Sequence, residues 1–184
     1  MDVNSGYQYQ STNLTLSLTS GWNLLSIPFK SFQKNIDSFF GEHTSRVRSI
    51  WKLNNGQWSL YLPPNISPTH RSSFTAPFFE NISSAEGLFI LISEGENISL
   101  EITGTPLGLG DYSPKSNFSL IGVGETVDAA EFLSVYSKTT LWAYRQGDWY
   151  VRQGSLGIDD LRTLYGTEVQ LLETLIPGEG YFIK

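Results

Sequence analysis

The chain has no cysteine. Disulfides, zinc–thiolate centres and thiol nucleophiles are excluded with it. Histidine is almost as scarce. His43 and His70 both fall in loop-like sequence, and no His-x-His or His-x-x-x-His spacing occurs, so neither a metal nor another cofactor is expected. Charged residues make up only 16% of 184, with 12 basic against 18 acidic and a net charge of −6. That balance argues against nucleic acid and against an anionic membrane surface as partners. No apolar run approaches the ~20 residues that cross a bilayer, so membrane insertion is not expected. The most continuous run, Leu88 to Ile92, has the length of a strand. Met1 to Gln10 has no basic region leading into an apolar stretch, so no signal peptide is expected there. The chain reads as a piece of a longer secreted protein.

Catalytic signatures are missing as well. There is no Gly-x-Ser-x-Gly elbow. Gly108 and Gly110 lack the helix that a dinucleotide-binding loop requires. The chain is expected not to be an enzyme.

What the chain has in excess is aromatic side chains, at 14%. Trp51 and Trp58 sit seven residues apart with Gly56 two before the second, and Trp142, Gly147 and Trp149 repeat the spacing. Each set reads as a β-hairpin, because Asn and Gly tolerate the positive φ of a tight turn. Three more blocks recur in the same order. Asn13–Thr19 matches Asn97–Thr103, Trp22–Ile27 matches Phe118–Val123, and Ala85–Ile90 matches Gly178–Ile183. In chain order, with the hairpins third, the offsets are 84, 96, 91 and 93 residues. A short helix is expected between the second and third blocks of each half, capped by Asp37 in one and by Asp128 in the other.

Beyond the hairpins the halves diverge. Pro63, Pro64, Pro68 and Pro77 predict an irregular loop. Ile158, Leu161, Leu164 and Tyr165 predict a helix that Gly166 stops, with Asp159 and Asp160 at its favoured acidic start. Gly104 to Lys115 predicts a linker.

The expected fold is therefore mainly β, a β-rich α+β unit spanning 1–184. Two pseudo-repeats, about 13–94 and 97–184, would each supply about five strands and a short helix to a shared core. Two separate small domains are the alternative.

The blocks Ser20–Pro28, Ile50–Lys52 with Gly56–Trp58, and Gly178–Ile183 resemble a duplicated module of bacterial and archaeal secreted and surface multidomain proteins. The second half departs from it, with Phe118 in place of Trp and no Pro after Val123. The resemblance implies an accessory, non-catalytic, extracellular module, and brings no functional residues with it.

Three readings follow. The first is a cell-surface interaction or adhesion module whose partner is a protein or a glycan. The second is a carbohydrate-binding module using exposed rings of Trp58, Trp149 or Tyr150, against the plainer view that these rings fill a core. A structural subunit of a virion or surface layer is the third. A glycosidase would need Glu86 and Glu179, the matched carboxylates, to converge in one cleft.

Overall fold

The computed structural model describes residues 10–112 and 117–184. The first half runs β1 (Thr12–Leu18), β2 (Gly21–Ser26), β3 (Gln33–Asn35), α1 (Ile36–Phe40), β4 (Val47–Asn54), β5 (Gln57–Tyr61), α2 (Pro68–Arg71), β6 (Asn81–Ser83) and β7 (Gly87–Ile92). The second runs β8 (Ile98–Gly104), β9 (Ser119–Gly122), β10 (Val127–Asp128), α3 (Ala129–Val135), β11 (Thr140–Arg145), β12 (Asp148–Gln153), α4 (Ile158–Tyr165), β13 (Gln170–Leu171), β14 (Thr174–Leu175) and β15 (Gly180–Ile183). The fold is mainly β and sandwich-like. Each half has more strands than the five expected, because β3, β6, β10, β13 and β14, of two or three residues each, are too short to leave a periodic trace.

The two larger sheets have the orders β2-β7-β4-β5 and β9-β15-β11-β12-β13, and β1-β8, β3-β6 and β10-β14 form two-stranded sheets. Strands from matching sequence blocks hold matching places in the two sheets. Both hairpins turn on two residues of positive φ, Asn55-Gly56 at 53° and 82° and Gln146-Gly147 at 52° and 99°. That backbone gives a primed turn, whose twist suits the flanking strands.

Alternation decides which side chains go where. In β8, Ile98, Leu100 and Ile102 are buried and the residues between them are exposed. β8 pairs with β1 so that Leu100 faces Leu16, its own counterpart at offset 84. This ribbon lays Leu16, Leu18, Leu100 and Ile102 into one apolar cluster with Ile27, Ile50, Ile90 and the α1 rings Phe39 and Phe40. A second cluster joins Ile121, Leu141, Tyr181 and Ile183 to Phe132 and Leu133 of α3. Between the sheets, Leu24, Leu53, Leu120 and Phe182 are buried, with Phe89, Phe118, Trp142 and Tyr144 packed on them.

Contacts between the halves are reciprocal. Ser26 N–H donates to Gly178 O at 2.9 Å, and Gly122 N–H donates to Ala85 O at 3.1 Å. Leu25 bridges Glu179, and Ile121 bridges Glu86. These contacts set residues at matching sequence offsets of the two halves against one another.

Three expectations need correcting. Asp128 caps α3 by accepting from Ala130 and Glu131 N–H at 2.9 Å, but in α1 that role falls to Asn35, not Asp37. Asp37 lies inside the helix and accepts the hydroxyl proton of Tyr61. Burial first, and this bond second, push the Tyr61 hydroxyl above its usual pKa. The proline-rich stretch does hold a helical turn, α2, because Pro68 stands first in it, where no N–H is required. The Gly104–Lys115 linker is described only as far as Tyr112. Up to there it is no loose tether, since Lys30 N–H donates to Thr105 O at 2.8 Å and Leu107 N–H to Pro28 O at 2.9 Å.

Candidate functional site: an aromatic groove beside the second hairpin

Successive residues of a strand point to opposite faces. On β11, Leu141 and Ala143 enter the second cluster, so Trp142 and Tyr144 face the other way. Cross-strand pairing sets Trp149 of β12 opposite Tyr144, and Phe182 of β15 opposite Trp142. Trp142 and Trp149 meet edge-on at 6.2 Å and 82°. Trp51 and Trp58 repeat that geometry at 6.2 Å and 83°. In each half a third ring closes on the first Trp. Phe74 stands 6.0 Å from Trp51, and Tyr165, the last residue of α4, stands 4.6 Å from Trp142.

α4 is seated by Leu161, fully buried with Val151 and Val169. Leu164 and Tyr165, which helical spacing places on the apolar stripe, are exposed. Phe118, Trp142, Trp149, Tyr165 and Phe182 wall a groove of about 440 Å³, with Asp148 and Glu168 exposed at its edge. That volume suits a small organic ligand or a sugar unit.

The residues predicted from sequence are partly brought together. Trp58 and Trp149 are 39% and 37% exposed, and both rings approach Phe182, at 6.2 Å and 6.0 Å. Trp149 lines the groove. Tyr150 does not, because it follows Trp149 on the strand and so faces the opposite side, packed against the second cluster under the Arg145 guanidinium at 5.1 Å, where it lines a separate groove beside Glu179. It cannot share a platform with Trp149. Trp51 and Trp142, expected in the core, are half-buried. Phe118, Tyr165, Asp148 and Glu168 were not foreseen. An aromatic at the end of an amphipathic helix was the one sequence signal for Tyr165.

The matched carboxylates do not converge. Glu86 bonds Lys52 Nζ at 2.9 Å and accepts from Ser83 N–H at 2.9 Å, lining a small cleft of about 230 Å³. Glu179 pairs with Arg145 at 2.7 Å and accepts from the Tyr181 hydroxyl at 2.8 Å, lining a separate groove. Burial, then the Glu179 charge, raise the Tyr181 pKa above its usual value. Each acid holds a cation of its own half rather than facing the other, so they do not form a glycosidase pair. Replacing Glu179 with Ala should cost about 2 kcal/mol, since it leaves a partly buried guanidinium without its counter-charge and with the Thr174 carbonyl as its remaining acceptor. Urea unfolding measures this, and an unchanged midpoint would deny the pair any structural weight.

His43 lies in the 3-10 turn Gly41–Arg46, 4.0 Å from Glu42. The side chain of His70 lies outside the described residues. Among the described residues no group of three His, Asp or Glu side chains is placed to hold a metal ion. No helix among them is long and apolar enough to cross a membrane.

Fold and groove together define a mainly β, sandwich-like protein with an open aromatic face. Compared with protein-family models, curated proteins and solved structures, the chain gives no match.

Proposed function

We propose that the chain is a non-catalytic interaction module of a larger extracellular or cell-surface protein, and that it attaches by binding a carbohydrate in the aromatic groove. One observation carries this reading. Trp149 and Tyr165 stand more than a third exposed on the walls of a groove edged by carboxylates. Large rings are normally buried, and a cluster left open to water marks an interaction surface. The apolar C–H face of a sugar stacks on such rings, and its hydroxyls donate to carboxylate oxygens. The resemblance of the repeated blocks supports the extracellular setting, and the low charge and absence of cysteine are compatible with it. The reciprocal contacts between halves support descent from one duplicated unit.

Affinity electrophoresis against neutral polymers (cellulose, chitin, xylan, mannan and α-glucans) tests the reading. At least one polymer should retard the protein. Trp149→Ala should weaken that binding about tenfold or more, corresponding to ~1.4 kcal/mol. Trp58→Ala, outside the groove, should change it far less. No retardation by any polymer would overturn the carbohydrate reading, and binding indifferent to Trp149→Ala would overturn the site.

A further inference from the structure

A second and larger groove, about 920 Å³, lies between β1 and β2 on one side and the tip of the second hairpin on the other. It exists because the two hairpin tips are treated differently. In the first half Gly56 N–H donates to Phe118 O at 2.7 Å, and Asn55 N–H to Ser119 Oγ at 3.0 Å, which ties that tip to the start of β9. The corresponding tip, Gln146-Gly147, faces Trp22 and Asn23 of β2 across the open groove.

Gly147 and Asp148 line this groove and the aromatic one alike, so the two meet over the hairpin tip. A side chain at Gly147 would stand in open space there, and glycine leaves the divide low. Trp22 supplies the second groove with a platform. Its indole stacks on Phe89 at 4.4 Å and 11°, which fixes the ring, yet it remains 41% exposed. Ring contacts run from Trp22 through Phe89 to Phe182 and on to Trp149, at 4.4, 6.3 and 6.0 Å. The walls also carry exposed Thr15, Ser17 and Gln146, hydrogen-bonding groups suited to a hydroxyl-rich ligand, together with Tyr150 and the Arg145–Glu179 ion pair.

We infer that the two grooves form one extended site for a chain of several sugar units, which crosses the hairpin tip with Trp149 and Trp22 as separate stacking subsites. This rests on the carbohydrate reading of the aromatic groove. Linking two subsites through one ligand makes the second contact intramolecular, so affinity should climb with chain length.

Calorimetry with gluco-, chito-, xylo- and manno-oligosaccharides of roughly two to six units tests it. For the series that binds, affinity should rise about tenfold or more from the shortest to the longest member. Trp22→Ala should abolish the rise while sparing the shortest ligand, whereas Trp149→Ala should weaken both. Ser17→Trp fills the second groove from an exposed position and leaves the Trp22–Phe89 stack in place. It too should act on long ligands alone, which separates lost binding from lost folding. A rise untouched by Trp22→Ala and Ser17→Trp would confine the ligand to the first groove and overturn the inference while the function stands. Indifference to Trp149→Ala, or no binding by any series, would overturn both.

Discussion

Replacing Gly122 with Ala should destabilise the protein by about 3 kcal/mol, among the largest losses that adding one methyl group can cause. A Cβ on Gly122 would fall 1.9 Å from Ser26 Cβ and 2.0 Å from Ser26 Oγ. Neither atom can retreat, because Ser26 is fully buried and its N–H is bonded to Gly178 O. Ser26 and Gly122 are matched positions of the two halves, at offset 96, and they meet where the halves cross. Only one of them can carry a side chain. The same crossing explains the neighbouring glycines. Gly87 pairs with Ser26 and Gly180 with Gly122, and a Cβ on either would lie 2.8 Å from Ile121 N or 2.6 Å from Leu25 O.

A second substitution gives this prediction its edge. Ser26→Gly should restore most of the stability lost in Gly122→Ala, because it vacates the space that the new methyl occupies. Ser26→Ala should not, since the clash is with Cβ itself. Urea unfolding of the three variants decides the matter by their non-additivity. Equal rescue by both would mean that the hydroxyl alone is in the way. A Gly122→Ala protein as stable as the parent would refute the close approach altogether.

Nothing in the local sequence marks that crossing. Gly122 and Ser26 lie in different halves, and their contact follows from how two sheets pack rather than from periodicity. The hairpins were legible for the opposite reason, since alternation and turn residues lie within a dozen positions of each other. Their rings were legible only by half. Alternation places Trp149 on the face away from Leu141 and Ala143, and it should equally have sent Tyr150 to the other side. The groove was hidden more deeply. Its walls come from the residue before β9, three strands (β11, β12 and β15), the end of α4 and the loop bearing Glu168, and no spacing rule joins them. Helical spacing likewise put Leu164 and Tyr165 on one stripe with Leu161, but it identifies an apolar face without saying whether anything covers it.

Phe182→Ala should cost about 4 kcal/mol, more than any other single aromatic truncation between the sheets. Phe182 is only 8% exposed and stands at the centre of the ring cluster. Phe118 stacks on it at 5.7 Å and 21°, with Trp149, Trp58 and Phe89 at 6.0, 6.2 and 6.3 Å. Truncation removes the transfer energy of one ring and the packing partner of four others. Phe89 is its matched position at offset 93, yet it is half-buried, so Phe89→Ala should cost only about 2 kcal/mol. The inequality is the informative part, because two residues of the same type in the same sheet position would otherwise be expected to match. Trp58 and Trp149 both rest on Phe182, so its loss should also shift their fluorescence to the red in protein that remains folded. Phe182→Leu, which refills part of the space, should recover about half of the lost stability. Equal costs at 89 and 182, with tryptophan emission unmoved, would mean that the rings of the two sheets pack separately and that Phe182 does not join them.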